Sequence, residues 1–475
     1  MYIDGEWREA SGGHNFEVLN PADGSVIASV PDGGAEEATR AIQAAEQAFP
    51  AWSRTTAYQR AEILQKAHRL MLERKEDLAR TMTEEQGKPI RAARIEVQYG
   101  ADFLLWFAEE AKRVNGQILP SARVDQRFMV LHQPVGVVAA ITPWNYPISM
   151  ITRKVGPALA AGCTVVLKPA EATPLCAIAM FRIFEEAGVP PGVLNLVTAS
   201  NPVPIGEAFT SHPAVAKLTF TGSTKVGKML AAEASGRMKR VSMELGGHAP
   251  FIVCKDADPV HAAKGGSLVK FLNTGQACIS PNRFFVHELI YEPFVETLTA
   301  RVAKMKAGSG FEEGVAIGPL VNAAAVEKVD GQVKDAVAKG AELVTGGKAL
   351  SEGALGQGHF YAPTVLAGVT PEMRIYREET FGPVAPVIRY GDDDDVLAMA
   401  NDTEYGLAAY VYTRDLSRAM HLFEGLRFGI IGVNDINPTS AAAPFGGMKS
   451  SGLGREGAHE GIEEYLETKL GGFAI

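Results

Sequence analysis

The sequence is poor in cysteine, and its few cysteines are far apart. Its 475 residues include Cys163, Cys176, Cys254 and Cys278, with no CxxC pair and no spacing typical of a zinc site. This scatter argues against a disulfide framework and predicts that no metal is bound. We interpret the chain as a protein of a reducing compartment, the cytoplasm.

Long apolar runs and an excess of positive charge are also missing. No run of eighteen or more uncharged apolar residues occurs, so we expect no membrane span. The first residues, MYIDGEWREASGG, lack the basic start and apolar core of a signal peptide. With 46 Lys and Arg against 55 Asp and Glu, the net charge is −9 and there is no basic tract. This balance argues against nucleic acid or a membrane as partner.

What the chain does have is a regular alternation of strand-like and helical segments. Its length predicts two or three domains. Strand-like runs at 135–141, 163–169, 193–197 and 217–222 alternate with helical segments, which predicts a parallel, doubly wound sheet. A second α/β set follows the Gly246-Gly247 turn. We therefore predict an α/β fold with two lobes.

One turn carries the best candidate for a nucleophile. In FLNTGQACISPNRFFV, Gly275 and Pro281 bracket a turn that holds Cys278 between two apolar segments. A structural cysteine normally lies within an apolar run, whereas a cysteine on a turn suits a nucleophile that must meet a substrate. For this turn alone, a passive core cysteine is the alternative.

Two other strand-like runs end in polar side chains that could serve the same chemistry. Glu244 ends the run in VSMELGGHAP, against a Gly-Gly turn, and Asn145 follows the run in AAITPWNYPISM between two prolines. A thiol, a carboxylate and an amide are the groups that covalent chemistry on a carbonyl needs. A capping or ion-paired Glu244 and a turn-forming Asn145 are the alternatives.

These three motifs and four others together resemble the aldehyde dehydrogenase superfamily. The resemblance runs from DGEW near residue 4 to the tail, and within the superfamily it is greatest to succinate-semialdehyde dehydrogenases. The other four motifs are LKPAEATP at 167–174, FTGSTKVG at 220–227, REETFGPV at 377–384 and PFGGMKSSGLGREG at 444–457.

The resemblance implies a Rossmann-like cofactor domain, a catalytic domain and a small β element for oligomerisation. We predict the cofactor domain at 1–117 and 135–245, the catalytic domain at 246–450, and the oligomerisation element at 118–134 and 459–475. A homodimer or homotetramer is expected. For the hairpin within 118–134, a simple surface hairpin is the alternative.

The resemblance also implies roles for the catalytic residues. Cys278 would attack the aldehyde to give a thiohemiacetal, whose oxyanion would be bound by the Asn145 amide and the Cys278 backbone N–H. Hydride transfer would leave a thioester, and Glu244, with a raised pKa, would activate the water that hydrolyses it. Glu456 is a weaker candidate acid. Lys154 would aid proton relay, with a solvated helical lysine as the alternative.

The dinucleotide would be held without a GxGxxG motif, which is absent. By resemblance, the backbone N–H groups of Gly222 and Ser223 would face the pyrophosphate of the dinucleotide at a helix N-terminus. Lys168 and Glu171 would hold the adenine ribose. Because a carboxylate repels a 2′-phosphate, Glu171 favours NAD over NADP.

Four further residues would surround the nicotinamide end of the cofactor. By resemblance, Glu379 holds the nicotinamide ribose and Phe381 packs beside the ring. Thr142 and Trp144 would line the same channel. A core aromatic is the alternative for Phe381 and Trp144.

The expected substrate is a small-molecule aldehyde, first of all succinate semialdehyde. Arg153 would clamp its carboxylate, and Thr439 and Ser440 would supply a pocket hydroxyl. However, a second arginine of the family pattern is replaced by Leu272. A longer dicarboxylic semialdehyde, or a neutral or aromatic aldehyde, is therefore an alternative substrate. Ser280 replaces a second cysteine found in some relatives, so we predict no disulfide at the nucleophile.

Other function classes remain as alternatives at this stage. A cysteine-dependent thioester or ester hydrolase would need only Cys278, Asn145 and Glu244, but not the cofactor motifs. Enzymes that transfer the acyl group to coenzyme A normally lack the Glu base, so Glu244 favours hydrolysis.

By resemblance, Glu467 in the tail would bridge Arg240 and Arg455.

Overall fold

The computed structural model describes residues 1–475, which form fifteen α-helices and twenty-two strands. The helices are α1 (Ala35–Trp52), α2 (Ala57–Glu73), α3 (Lys75–Gln86), α4 (Ile90–Glu110), α5 (Pro147–Ala161), α6 (Pro174–Ala187), α7 (Val203–Ser211), α8 (Thr224–Ser235), α9 (Pro259–Lys270), α10 (Tyr291–Val302), α11 (Ala323–Ala338), α12 (Arg374–Arg377), α13 (Val396–Asn401), α14 (Leu416–Gly425) and α15 (Glu460–Glu463).

The strands are mostly short. They are β1 (Tyr2–Ile3), β2 (Glu6–Trp7), β3 (Asn15–Leu19), β4 (Val26–Pro31), β5 (Gln117–Leu119), β6 (Gln126–Pro134), β7 (Val137–Ile141), β8 (Thr164–Lys168), β9 (Leu194–Leu196), β10 (Val215–Thr221), β11 (Arg240–Glu244), β12 (Ala249–Val253), β13 (Pro281–His287), β14 (Lys306–Ala307), β15 (Val315–Ile317), β16 (Glu342–Thr345), β17 (Thr364–Ala367), β18 (Val384–Tyr390), β19 (Ala408–Tyr412), β20 (Ile430–Val433), β21 (Gly452–Leu453) and β22 (Leu466–Ala474).

The first large sheet has the strand order β2-β1-β9-β8-β7-β10-β11-β21. Strands β7 to β11 run parallel to one another, with β8 and β9 on one side of β7 and β10 and β11 on the other. The predicted parallel, doubly wound sheet is confirmed. Its strand order reverses at β7, and ligands of such sheets bind beyond the carboxyl ends of the strands at this point.

Burial explains why these segments became strands. Every residue of β8, the sequence TVVLK, is buried, as expected for a β-branched run covered by helices on both faces. One core cluster joins this sheet to α2, α4, α5 and α6, and a second core cluster on the opposite face joins it to α1, α7 and α8. The sheet is therefore covered on both faces.

The second large sheet forms the other lobe, with the order β16-β17-β18-β13-β12-β19-β20. All of its neighbours are parallel except β16 and β17. In this lobe, α9 ends at Lys270, and a short 3-10 turn over Leu272–Gly275 follows it. That turn leads directly to Cys278.

The third sheet joins the tail of the chain to its hairpin, in the order β22-β6-β5. Strand β22 pairs with β6 over nine residues, from Leu466 opposite Pro134 to Ala474 opposite Gln126. Glu467 forms a bidentate pair with Arg240, at 2.6 and 2.9 Å. The expected bridge to Arg455 is wrong within this chain, because Arg455 donates instead to backbone carbonyls of Gly447 and Gly454.

No helix in the structure combines the length and the apolar character needed to cross a membrane.

Candidate active site

Three predicted residues meet where the two lobes face each other. Asn145 follows β7 and Glu244 ends β11, both at the carboxyl edge of the first sheet, whereas Cys278 lies just before β13 at the amino edge of the second. The structure brings the residues together because β11 leads directly into the second lobe. The site is therefore built from opposite edges of two sheets.

The turn before Cys278 has an unusual backbone. Asn273, Thr274 and Gly275 have φ values of 48°, 60° and 75°. A Cβ on Gly275 would lie 2.1 Å from the Gly382 carbonyl oxygen, so this position requires glycine. Strain in a buried turn of this kind is often found where a backbone must hold a reactive side chain.

Hydrogen bonds connect this turn to Asn145. The Asn145 side-chain amide donates to the Gln276 carbonyl at 3.0 Å, and the Asn273 amide donates to the Asn145 carbonyl at 2.9 Å. Asn145 is 4% exposed. Its side chain is thus fixed in place next to the Cys278 turn.

Burial keeps the Cys278 thiol protonated. It raises the pKa of Cys278 to about 12, while Arg153 acts to lower it and Glu244 to raise it. Cys278 is nevertheless partly exposed, unlike the other three free cysteines, which are buried. A thiol of this kind needs a base to become a nucleophile.

Glu244 has the environment of such a base. It is 4% exposed, and neither of its carboxylate oxygens has a hydrogen-bond partner. Burial, followed by the repulsion of Glu456, raises the pKa of Glu244 well above its usual value. The structure agrees with the predicted rise in the pKa of Glu244. It does not agree with the alternatives in which Glu244 caps a helix or forms a salt bridge.

Glu456 differs from Glu244 because two cations contact it. Lys154 Nζ lies 2.6 Å from one Glu456 oxygen, and Arg153 Nε lies 2.7 Å from the other. Burial opposes ionisation, but Lys154 and then Arg153 hold the pKa of Glu456 below its usual value. Lys154 is 1% exposed, so the solvated-lysine alternative is wrong.

A cavity opens beside Cys278. Arg153, Leu272 and Thr439 line it, as expected for a substrate pocket, whereas Ser440 is exposed and lies outside the lining. The remaining lining residues are Lys88, Ala92, Ile95, Glu96, Tyr99, Tyr146, Ser149, Met150, Asn273, Ala277, Ile279, Asn437 and Phe445.

The Arg153 guanidinium is held on several sides. Its central carbon lies 3.9 Å from the centre of the Phe445 ring and 5.7 Å from that of Phe103. Its Nη2 atom is buried and has no hydrogen-bond partner. A buried donor without a partner is costly, so this group is suited to an anionic oxygen of a ligand.

The dinucleotide motif lies at the N-terminus of α8. Ser223 caps this helix, accepting a hydrogen bond from the Val226 backbone N–H at 3.4 Å. The predicted role of the Gly222 N–H needs correction, because that group donates to the Glu244 carbonyl at 3.1 Å. Lys168 Nζ lies 3.2 Å from a Glu171 oxygen at the end of β8.

The residues predicted to surround the nicotinamide lie between α8 and Cys278. Glu379 accepts a hydrogen bond from the Gly247 N–H at 2.8 Å, and the rings of Trp144 and Phe381 meet edge to face at 5.6 Å. Both rings are partly exposed, so neither is a core aromatic.

The backbone leaves space for a ligand at this point. A Cβ on Gly246 would lie 3.0 Å from Glu379 Oε2, so only glycine leaves that carboxylate open. The Thr142 N–H, in contrast, is used within the sheet, donating to the Lys168 carbonyl at 3.1 Å. A helix N-terminus, an open carboxylate and two accessible aromatic rings fit a nicotinamide dinucleotide.

Comparison with known proteins agrees with this geometry. The model of the aldehyde dehydrogenase family matches residues 7–470. The chain belongs to the aldehyde dehydrogenase family. It is thus an oxidoreductase of a family that uses NAD(P), and the dehydrogenase prediction is confirmed over the hydrolase alternative.

Named relatives are similar over almost their whole length. A glutarate-semialdehyde dehydrogenase of Pseudomonas aeruginosa is 52% identical, over 99% of this chain and 97% of the relative. An NADP(+) succinate-semialdehyde dehydrogenase of Escherichia coli is 51% identical, over 98% and 96%. The crystal structure of a succinate-semialdehyde dehydrogenase from Burkholderia pseudomallei has a TM-score of 0.97 at 49% identity, over 100% and 97% of the two chains.

The sequence analysis missed a buried ion pair that supports Asn145. Lys88 and Glu96 contact each other, and Lys88 Nζ donates to the Asn145 carbonyl at 2.8 Å. Glu96 accepts from the backbone N–H groups of Ile148 and Ser149 at the start of α5. Lys88 lies in a Gly-Lys-Pro sequence between two helices, and charged residues this buried usually need partners.

We expect Lys88→Met to destabilise the protein by about 3–5 kcal/mol, because it leaves Glu96 buried without its cation. Chemical denaturation would measure the change. The matched control is Arg94→Met, which removes an exposed pair between Arg94 on α4 and Glu76 on α3 and should leave stability nearly unchanged. Equal stability of the two variants would contradict a supporting role for Lys88.

Proposed function

We propose that this dehydrogenase oxidises an aldehyde that carries a carboxylate at its far end, with succinate semialdehyde as the first candidate. The charge beside Cys278 supports the proposal. Arg153 and Lys154 share one ionised carboxylate, Glu456, while the raised pKa of Glu244 favours its uncharged form. One positive charge therefore remains uncompensated next to the cavity, and an anionic substrate would balance it.

The two relatives named above support the same class of substrate. Glutarate semialdehyde and succinate semialdehyde each carry an aldehyde at one end and a carboxylate at the other. The free Nη2 donor of Arg153 could bind either carboxylate.

In the mechanism that we propose, Glu244 takes the proton of the Cys278 thiol, and the thiolate sulfur forms a bond to the aldehyde carbon. The Asn145 side chain and the Cys278 backbone N–H donate to the resulting oxyanion. Glu379 and the N-terminus of α8 would hold a nicotinamide dinucleotide, which would supply the hydride acceptor that the oxidation requires. The carbonyl then re-forms as a thioester to Cys278.

Hydrolysis of the thioester completes the cycle. After Glu244 has released the thiol proton to solvent, it removes a proton from a water molecule, and the oxygen of that water attacks the thioester carbon. Asn145 again donates to the oxyanion. The C–S bond breaks, the carboxylic acid leaves, and Glu244 returns its proton to the Cys278 thiolate.

The raised pKa of Glu244 predicts the pH dependence of the thioester step. A base works in its deprotonated form, so the rate should rise with pH through a pKa above that of an ordinary Glu. Glu244→Gln should lower the steady-state rate about 10²- to 10⁴-fold and remove this rise. Steady-state assays across a pH series would measure both effects.

Glu207→Gln, at an exposed position on α7, is the matched control for Glu244→Gln and should keep the wild-type profile. An unchanged pH profile in Glu244→Gln would exclude Glu244 as the base.

The substrate proposal predicts a preference for succinic semialdehyde over butanal, which has the same number of carbons but no carboxylate. Hydrogen bonds to a charged group contribute about 1.5–3 kcal/mol, equivalent to about 10- to 150-fold in kcat/KM. Initial rates of nicotinamide reduction with both aldehydes would measure it. Equal kcat/KM values would instead indicate a general aldehyde dehydrogenase.

For the coenzyme, we propose NAD in preference to NADP. The support is Glu171, whose carboxylate lies near Lys168 at the end of β8, where it would accept from free ribose hydroxyls and repel a 2′-phosphate. The Escherichia coli relative is named for NADP(+), so the coenzyme proposed here differs from the one in that name and is tested below.

We expect Glu171→Ser to shift the ratio of kcat/KM for NADP to that for NAD upward by about tenfold, because it removes the like-charge contact. Glu207→Ser is the control and should leave the ratio unchanged. A wild-type preference for NADP would show that Glu171 turns away from the ribose.

We also retain the predicted domain boundaries and a homodimer or homotetramer as proposals. Exposed apolar side chains on the third sheet support an assembly surface there, among them Ile118, Leu131, Leu470 and Phe473. The four unpaired cysteines support a reducing compartment.

A further inference from the structure

Of the two cations that line the substrate cavity, Lys88 is paired with Glu96, which leaves one cation for an anionic ligand. Arg153 supplies it, and the position where the related pattern has a second arginine is Leu272, which is 41% exposed and lines the cavity. A carboxylate has two oxygens with about four acceptor sites. A second donor is therefore needed for tight binding of a carboxylate.

Tyr99 lies on the helix face that forms one wall of this cavity. Ala92, Ile95, Glu96 and Tyr99 all line it, and their spacing of three, four and seven residues places them on one face of α4. Helix α4 packs along α5, which carries Arg153. Tyr99 and Arg153 thus project from neighbouring helices into the same space.

The other polar side chains in the walls are largely engaged. Lys88 donates to Glu96 and to the Asn145 carbonyl. The Asn273 amide donates to that same carbonyl, and the Ser149 hydroxyl lies 3.5 Å from Glu96. The Tyr99 hydroxyl has no protein partner other than Thr439, so its O–H can turn towards a ligand.

The surroundings of Tyr99 hold the ring and keep its hydroxyl protonated. The ring meets Phe103 edge to face at 5.0 Å between centres. Burial raises the pKa of Tyr99, while Arg153 and a hydrogen bond with Thr439 act to lower it. Both residues are therefore close to the phenol oxygen, and the phenol remains a donor at neutral pH.

We propose that Tyr99 is a specificity-determining residue, whose hydroxyl donates to one oxygen of the substrate carboxylate while Arg153 Nη2 binds the carboxylate from the other side. This inference rests on the proposed function, since it requires a carboxylated aldehyde. Thr439 orients the phenol. Leu272 and Ile279 then contact the methylene groups between the carboxylate and the aldehyde.

The arrangement differs physically from a clamp of two arginines. A phenol contributes a directional hydrogen bond but no charge. Arg153 alone therefore supplies the charge that attracts the substrate, and Tyr99 supplies selectivity between a carboxylate and an apolar end.

The test is Tyr99→Phe, which removes the hydroxyl and keeps the ring against Phe103. KM for succinic semialdehyde should rise about tenfold, the usual effect of one hydrogen bond to a charged group, with little change in kcat. Butanal lacks the carboxylate, so its kcat/KM should stay at the wild-type value. Thermal unfolding would verify that the variant is folded.

A second variant, Thr439→Val, should raise KM for succinic semialdehyde by a smaller factor, because it removes only the group that orients the phenol. An equal loss with both aldehydes, or no change with either, would overturn the role of Tyr99. Failure of the proposed function would look different, because the wild-type enzyme itself would then show no preference for succinic semialdehyde.

Discussion

The active site depends on how two neighbouring buried carboxylates divide their charge. Ionised carboxylates in one dry site repel each other, so one is pushed towards its protonated form. Lys154 and Arg153 both contact Glu456, whereas neither oxygen of Glu244 has a partner. Glu456 therefore remains the anion, whereas burial and then the repulsion of Glu456 raise the pKa of Glu244, as suits a general base.

The same charge distribution links catalysis to substrate binding. Arg153 contacts Glu456 through Nε, has a buried Nη2 without a partner, and lines the same cavity as Cys278. One guanidinium thus influences the two acids, the nucleophile and the space for the substrate. Its burial on a fully buried helix, α5, is stabilised by Glu456 and by two aromatic rings.

The two-lobed architecture makes this concentration of groups possible. Asn145 and Glu244 come from the carboxyl edge of one sheet and Cys278 from the amino edge of the other, joined by the short Gly246-Gly247 connection. Glycine is required there, because a Cβ on Gly247 would lie 2.3 Å from the Cys278 carbonyl oxygen. Close backbone contact therefore holds the Cys278 turn against the connection that follows Glu244.

The sequence by itself determined the alternating elements and the parallel sheets, because strand periodicity and turn residues are local properties, and its order of motifs led, by resemblance, to the prediction of Cys278, Glu244 and Asn145 as site residues. Only the tertiary structure decided which groups interact. It paired Glu456 with Lys154 and Arg153, and it placed Tyr99 in the same cavity as Arg153. It also directed the Gly222 N–H to the Glu244 carbonyl and separated Arg455 from Glu467. Ser440 was left outside the cavity lining. These outcomes depend on burial and on contacts between residues far apart in the chain, and neither exists until the two lobes have packed together.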